Sequence, residues 1–314
     1  MVMAEDNRLN KQTSVKVNSA RAWLLAARPK TLSGAAVPVM IGIAWAYHVA
    51  HNVLVVPALL CCLFAFIMQI DANLVNDYFD FKHGNDDVST RLGPKRACAE
   101  GWITPQCMLR GIAVTTALAC IAGLPLIIYG GWSMVIVGLC CVLFCFLYTL
   151  KFSYLGLGDV LVLVFFGIVP VTLTFYLSVP GHQLPTLDVW LSSIATGLVI
   201  DTLLIVNNYR DRDNDRRDGK ITLVVRIGEK AAELLYLFLG LIGLAIPVVI
   251  LAVHTDDTTF WLYETVFVFY LILHISTWNH MVRINHGKEL NRILGKTARN
   301  MFLYGVTNVV ILLI

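Results

Sequence analysis

Apolar residues gather into nine long runs, at approximately 32–50, 53–76, 108–129, 131–150, 157–178, 187–208, 231–253, 259–280 and 297–314. Each is close to the ~20 residues that carry an α-helix through a bilayer core, so the pattern predicts an all-α polytopic membrane protein of about nine transmembrane helices. Only His51-Asn52 separates the first run from the second, and Gly130-Gly131 the third from the fourth. Turns that short make each pair antiparallel neighbours. The ninth run begins beside Lys296 and Arg299.

Composition points the same way. The chain is 57% hydrophobic and 14% charged, with a mean hydropathy of +0.71, whereas a soluble domain carries about 25% charged residues. Charge placement gives the orientation: with the N-terminus inside, all 24 Lys and Arg fall in segments on the inner side, as the positive-inside rule requires. Residues 1–30 carry Arg8, Lys11, Lys16, Arg21, Arg28 and Lys30 but no apolar core. They read as a cytoplasmic N-terminal segment and not as a cleaved signal peptide, leaving 31–314 as a single transmembrane domain. The eight cysteines sit mainly inside apolar runs, without the spacings of a zinc site or of a secreted disulfide framework. A formal charge of +3 is too small to suggest nucleic acid, and the expected surroundings are a lipid bilayer.

Within this apolar chain one polar stretch stands out. The second run ends in Asn76-Asp77-Tyr78-Phe79-Asp80, followed by Gly84 and Asp86-Asp87, and on a helix Asn76, Asp77 and Asp80 share one face. Clustered carboxylates beside Leu, Val and Phe need a counter-cation, and hard oxygen donors in that grouping suit Mg²⁺. The pattern recurs at the end of the sixth run as Asn207-Asn208-Tyr209-Arg210-Asp211, continuing to Asp215. Asn208, Asp211 and Asp215 would form a second acidic stripe. A solvated face is the plain alternative for either copy alone, but two copies at equivalent places argue against chance. The first Asp motif (76–87) and the second (207–220) lie at the inner ends of spans two and six. The duplication predicts two similar four-helix halves plus a last helix, with the acidic faces meeting across a central cavity. The loops that follow, Phe81 to Thr104 and Arg212 to Glu229, are expected to fold as cytoplasmic cap loops. They bring the basic elements Gly93-Pro94-Lys95-Arg96 and Gly219-Lys220. Asp71 and Asp201 lie inside spans, where a charge is expensive; each could orient a motif Asn, take a proton from substrate, or be structurally paired.

Two facing carboxylate clusters flanked by Arg and Lys, opening on a hydrophobic cavity, fit a substrate with a diphosphate head and a long apolar tail. Mg²⁺ would bridge carboxylates and diphosphate as the leaving group departs. The allylic cation left behind calls for aromatic faces. Tyr78, Tyr148, Phe152, Tyr154, Phe165 and Tyr209 are available, and Tyr148, near Lys151, is the one favoured for a direct role.

Asn76-Asp77-x-x-Asp80 with a second Asp211-x-x-x-Asp215 resembles the UbiA superfamily of intramembrane aromatic prenyltransferases, nine-helix proteins with both Asp-rich motifs on the cytoplasmic side. Arg28-Pro29-Lys30-Thr31-Leu32, Arg91-Leu92-Gly93-Pro94, Gly101-x-Ile103-Thr104, Gly156-Leu157-Gly158-Asp159 and Gly219-Lys220-x-Thr222-Leu223 are most similar to the branch that prenylates 1,4-dihydroxy-2-naphthoate in menaquinone biosynthesis. Hydroxybenzoate and haem-farnesylating relatives usually put Arg after the last Asp of the first motif, where this chain has Phe81. The resemblance implies transfer from a polyprenyl diphosphate to the naphthoate in a bacterial cytoplasmic (inner) membrane. By motif position it implies that Asn76, Asp77, Asp80, Asp86, Asn208, Asp211 and Asp215 handle Mg²⁺ and diphosphate. Arg91, Lys95, Lys151 and Lys220 would contact phosphate, and Arg28 or Lys30 would hold the acceptor carboxylate or anchor the first helix in the headgroups. A prenyltransferase for another aromatic acceptor and a cation-coupled transporter are the alternatives, while the Asp-Gly-x-x-Ala-Arg start of CDP-alcohol phosphotransferases is absent. Past Gly228 no motif is found, and the C-terminal third reads as scaffold.

Overall fold

A computed structural model describes residues 15–84, 89–254 and 257–314, with side chains omitted for 257–266. Asp86 of the expected metal set lies outside the described residues. The described chain is helical: α1 Ala20–Ala27, α2 Leu32–Ala50, α3 Val55–His83, α4 Pro105–Gly130, α5 Ser133–Phe152, α6 Gly158–Ser178, α7 Leu187–Arg217, α8 Leu223–Ile227, α9 Glu229–His254, α10 Asp257–Ile284 and α11 Leu290–Leu313. Among the described residues, seven helical segments are long and apolar enough to cross a membrane, the first formed by α1 and α2 together. The expected nine spans are thus met for seven. Helices α10 and α11 are a further two long helices, of 28 and 24 residues. In lipid every backbone polar group must be satisfied within the segment, which is why the apolar runs fold as helices.

Sequence signals mark the ends. Thr104 caps α4 through a hydrogen bond to the Cys107 amide with Pro105 in the first turn, and Thr186 caps α7 in the same way through Val189. Helix α3 stops at Gly84, whose φ of +80° a side chain would resist. Both motif helices run beyond their apolar stretches, α3 to His83 and α7 to Arg217. The second cap loop therefore begins at Asp218 and not at Arg212, because the charged turn carrying Asp211 and Asp215 remains helical.

Helix α7 is the centre of the molecule, packed against α2, α6, α9 and α11. It approaches α6 closely, for a Cβ on Gly167 would lie 2.6 Å from the Gly197 Cα and 2.6 Å from the Ser193 carbonyl oxygen. Small residues at such a crossing let two helix backbones touch. A second core joins α1, α3 and the loop before α4 through Ala22, Ala26, Leu74, Val75, Ala97, Cys98 and Ile103. The residues just before α1 belong to this core's rim, since Asn18 donates to the Trp102 carbonyl at 2.8 Å and accepts from the Thr104 amide at 3.1 Å. What remains between α3 and α7 is a cavity.

Candidate active site

The cavity measures about 1530 Å³. Cys61, Phe64, Met68, Ala72, Asn76 and Asp80 line it along α3 at three- or four-residue spacing. At a rise of 1.5 Å per residue that stripe runs for about 28 Å, roughly the thickness of a bilayer core. One end is polar. Asn76 and Asp80 of α3 face Asn207, Asp211, Asn214 and Asp215 of α7, with Lys220 beside them and residues 91–96 forming a roof. The other end is walled by apolar side chains of α3, α4, α5 and α6, among them Phe64, Leu126, Met134 and Leu173.

The polar end carries its own counter-charges. Arg96 donates to Asp80 at 3.1 Å; Arg210 grips Asp211 with two hydrogen bonds of 2.8 and 2.5 Å; Lys220 stands 3.8 Å from Asp215. Arg210 is 3% exposed and Arg96 8%, so these pairs are largely withdrawn from solvent screening. Burial alone would lower the Lys220 ammonium, but Asp215 and Asp80 outweigh it and hold Lys220 above the ordinary lysine range, fully charged. Asp215 Oδ2 is buried without a hydrogen-bond partner, which leaves one acceptor open on the site.

Both motifs use the same register: the stripe expected for the second holds at Asp211 and Asp215 but starts at Asn207 and not at Asn208. Asn76 and Asp80 are in line, as are Asn207 and Asp211, and these are the equivalent positions of the repeat. The residue following each Asn sits 100° further round the helix and points elsewhere. Asp77 is 1% exposed and accepts the backbone N–H groups of Ala97 and Cys98, each at 2.8 Å, so it fastens the roof instead of facing the cavity. Asn208 is buried against a small separate void shared with Asp159 and Tyr148. Asn207, Arg210, Asn214 and Asp218 line the cavity without having been expected there. Strict alignment of Asn76/Asp80 on Asn207/Asp211 was the signal that would have selected Asn207.

Tyr148 lines the cavity from the start of a π-helical turn, Tyr148–Phe152, and the next residue, Thr149, donates its hydroxyl to Asn76 Oδ1. Such turns rotate side chains out of the α-helical register and recur at functional sites. Phe144 and Phe165 pack as a tilted pair on the same wall, their ring centroids 5.2 Å apart. Lys151, in contrast, is exposed and does not line the cavity, because the π turn carries it to the far side. Tyr209 is fully buried beneath α9, its hydroxyl donating to Glu233 at 2.8 Å, and Tyr78, Phe152 and Tyr154 also stand outside the cavity wall. Arg91 lines the roof and Lys95 its outer edge, paired with Glu100 at 3.0 Å. Arg28 reaches the cavity from the bend between α1 and α2, where its φ is 51°; Asn73 holds that bend by donating to the Ala27 carbonyl and the Thr31 hydroxyl, at 3.0 and 2.8 Å. Asp71 is structurally paired: Thr115 and Thr116 of α4 donate to its two oxygens. Asp201 is buried with Oδ1 unpartnered and takes no part in the cavity wall. The C-terminal third is more than scaffold, for Asn291, Leu294, Gly295 and Ala298 of α11 complete the cavity wall.

Residues 35–303 match the sequence profile of the UbiA prenyltransferase family. The chain belongs to that family. It is 38% identical to the 1,4-dihydroxy-2-naphthoate octaprenyltransferase of Escherichia coli, over 70% of this chain and 73% of the relative. It is 36% identical to the 1,4-dihydroxy-2-naphthoate octaprenyltransferase of Mycobacterium tuberculosis, over 68% and 72%. Among solved structures, a UbiA homolog from Archaeoglobus fulgidus bound to DMAPP and Mg²⁺ superposes with a TM-score of 0.60 at 14% identity, over 92% of this chain and 99% of the other. The apo UbiA homolog from Aeropyrum pernix gives 0.64 at 13% identity, over 87% and 97%. The fold is therefore the UbiA fold, and the protein is a multi-pass membrane prenyltransferase.

Proposed function

We propose that this UbiA-family protein transfers a polyprenyl group from polyprenyl diphosphate to 1,4-dihydroxy-2-naphthoate, releasing CO₂ and diphosphate and giving demethylmenaquinol. One observation carries the reading: a single cavity, about as long as a bilayer core is thick, joins a polar head lined by Asp80, Asp211, Asp215 and three paired cations to an apolar channel. The relatives named as naphthoate octaprenyltransferases support the choice of acceptor.

The donor set fits Mg²⁺. Its atoms are hard oxygens of Asn76, Asp80, Asn207, Asp211 and Asp215, with an open acceptor on Asp215. Among the described residues no three carboxylate, His or Cys side chains cluster tightly enough to hold a metal alone, as suits an ion that keeps water and shares a substrate diphosphate. When bound, Mg²⁺ supplies Lewis-acid neutralisation of the departing diphosphate. The protein's own residues do the rest. Arg96, Lys220 and Arg91 bind the phosphate oxygens, with Lys95 at the roof edge, and Asp77 holds the roof that keeps water out. Asp86, within the first motif, is a further metal candidate. Tyr148 and Phe165 turn aromatic faces to the allylic carbon. Arg28 is placed for the acceptor carboxylate.

The allylic C–O bond breaks with its electron pair leaving on diphosphate, and the ring carbon bearing the carboxylate forms the new C–C bond. That carbon has no hydrogen to lose, so the C–CO₂ bond breaks and its electron pair restores aromaticity. No base need remove a proton from carbon. Membranes containing the protein, given Mg²⁺, a polyprenyl diphosphate and carboxyl-labelled acceptors, should release labelled CO₂ from the naphthoate and make little product from 4-hydroxybenzoate. A prenylated product that keeps the label would exclude the naphthoate assignment.

The membrane in question is the bacterial cytoplasmic membrane, with the polar head of the cavity inward, as the one-sided Lys and Arg distribution indicates. Leu184 is 80% exposed between α6 and α7, and the Asp213 side chain is 65% exposed at the opposite end of α7. In intact cells a cysteine introduced at Leu184 should react with an impermeant maleimide, above the parent background, and one at Asp213 should not. Labelling at Asp213 alone would reverse the orientation.

A further inference from the structure

We propose that Asn291 is a positioning residue of this site: it ties the roof loop to the second Asp motif, so that roof closure and the geometry of Asp211 are set together. The inference rests on the prenyl-transfer reading for its kinetic consequences but not for its structural one. The Asn291 side chain donates to the Leu92 carbonyl at 2.8 Å and to the Lys288 carbonyl at 2.9 Å, while its oxygen accepts from Arg210 Nη1 at 2.9 Å. The remaining Arg210 bonds go to Asp211 and to Asn207 Oδ1, the latter at 2.8 Å. The guanidinium is thus spent on protein partners, and its function is to hold two of the cavity-facing side chains of the second motif, Asn207 and Asp211. The roof rests directly on it, since a Cβ on Gly93 would lie 2.7 Å from Arg210 Nη2.

The connection between α10 and α11 is itself fixed for this purpose. Two residues beyond Arg210, the buried Arg212 donates to the Asn285 carbonyl at 2.8 Å and to its side-chain oxygen at 2.7 Å, with Glu229 at 3.0 Å. Two arginines of α7, Arg210 and Arg212, therefore grip both ends of the segment 285–291. A primary amide suits position 291 because it donates and accepts through one planar head. A carboxylate there could still accept from Arg210 but could not donate to Leu92, and an isosteric leucine could do neither.

The pair Asn291→Asp and Asn291→Leu separates the two functions. Hydrogen exchange of the purified, ligand-free protein should show the amides of residues 91–96 exchanging at least ~10-fold faster in both variants, with α3 and α9 amides unchanged. In kinetics, Asn291→Asp should raise KM for the prenyl diphosphate about 10-fold with kcat within about 3-fold, because the Arg210–Asp211 geometry survives. Asn291→Leu should lower kcat as well. Should the leucine variant fail to fold, the aspartate variant alone decides. Roof exchange at the wild-type rate in the folded variants, or an equal loss of kcat in both, would overturn the proposal. A wild-type protein that makes no prenylated product would overturn the functional reading instead.

Discussion

Asparagine at Asp80 or at Asp211 should each lower kcat by about a thousandfold, the largest losses from any single side chain of the cavity. Electrostatic neutralisation of a departing diphosphate by a bound metal is worth several kcal/mol, and each ~1.4 kcal/mol is a factor of ten in rate. The amide keeps the size and a hydrogen-bonding head but removes the charge that recruits the cation. It also leaves Arg96 or Arg210 without its carboxylate, and both guanidinium groups are nearly buried. Stability should therefore fall too, by up to about 3 kcal/mol for an uncompensated buried charge, and activity must be normalised to folded protein. Asp77→Asn makes a contrasting case. It leaves the Ala97 and Cys98 amides with one acceptor in place of two, so it should loosen the roof and raise KM more than it lowers kcat. Asp80 and Asp211 variants within tenfold of wild-type kcat at saturating Mg²⁺ would place the metal elsewhere.

These contrasts show where the sequence was sufficient and where it was not. The helices were largely legible because lipid permits little else: apolar runs and short turns mark out the seven apolar helices before any side chain is placed. The two motifs were legible as a pair because of the repeat. Their faces were less so, since Asn76, Asp77 and Asp80 are all within one helix turn and only the roof reveals which is used to fasten a loop. Residue 208 was preferred to 207 for an i, i+3, i+7 stripe that is geometrically sound but one position off the repeat. Lys151 follows Tyr148 by three residues and would share its face on an α-helix. The π turn at Tyr148–Phe152 breaks that register, and no sequence pattern announces a π turn. Asn291 lies 81 residues beyond its partner Arg210, on a helix without a motif, and only the fold brings the two together.

Gly138→Phe should yield a stable protein that has lost its long-chain substrate while keeping a short one. Gly138 lines the cavity on α5, ten residues before Tyr148 and so about 15 Å from the polar head. A Cβ built on it meets nothing within 4 Å, so a larger side chain grows into open cavity and displaces no backbone. Removing a glycine from a helix interior favours the helix by up to about 1 kcal/mol, and thermal stability should hold or rise. A phenyl ring set across the channel leaves room for the first isoprene units and blocks those beyond. With an octaprenyl diphosphate, kcat/KM should fall at least a hundredfold, because a tail that cannot extend must either stay in water or displace packed helices, and each ~2.7 kcal/mol of lost apolar burial is a factor of one hundred. With dimethylallyl or geranyl diphosphate the same variant should stay within about threefold of wild type, since the diphosphate end is untouched. Equal losses for short and long donors would mean that the ring disturbs the head and not the channel. Undiminished use of the octaprenyl donor would mean that the tail leaves the cavity before reaching Gly138, by a lateral route between helices.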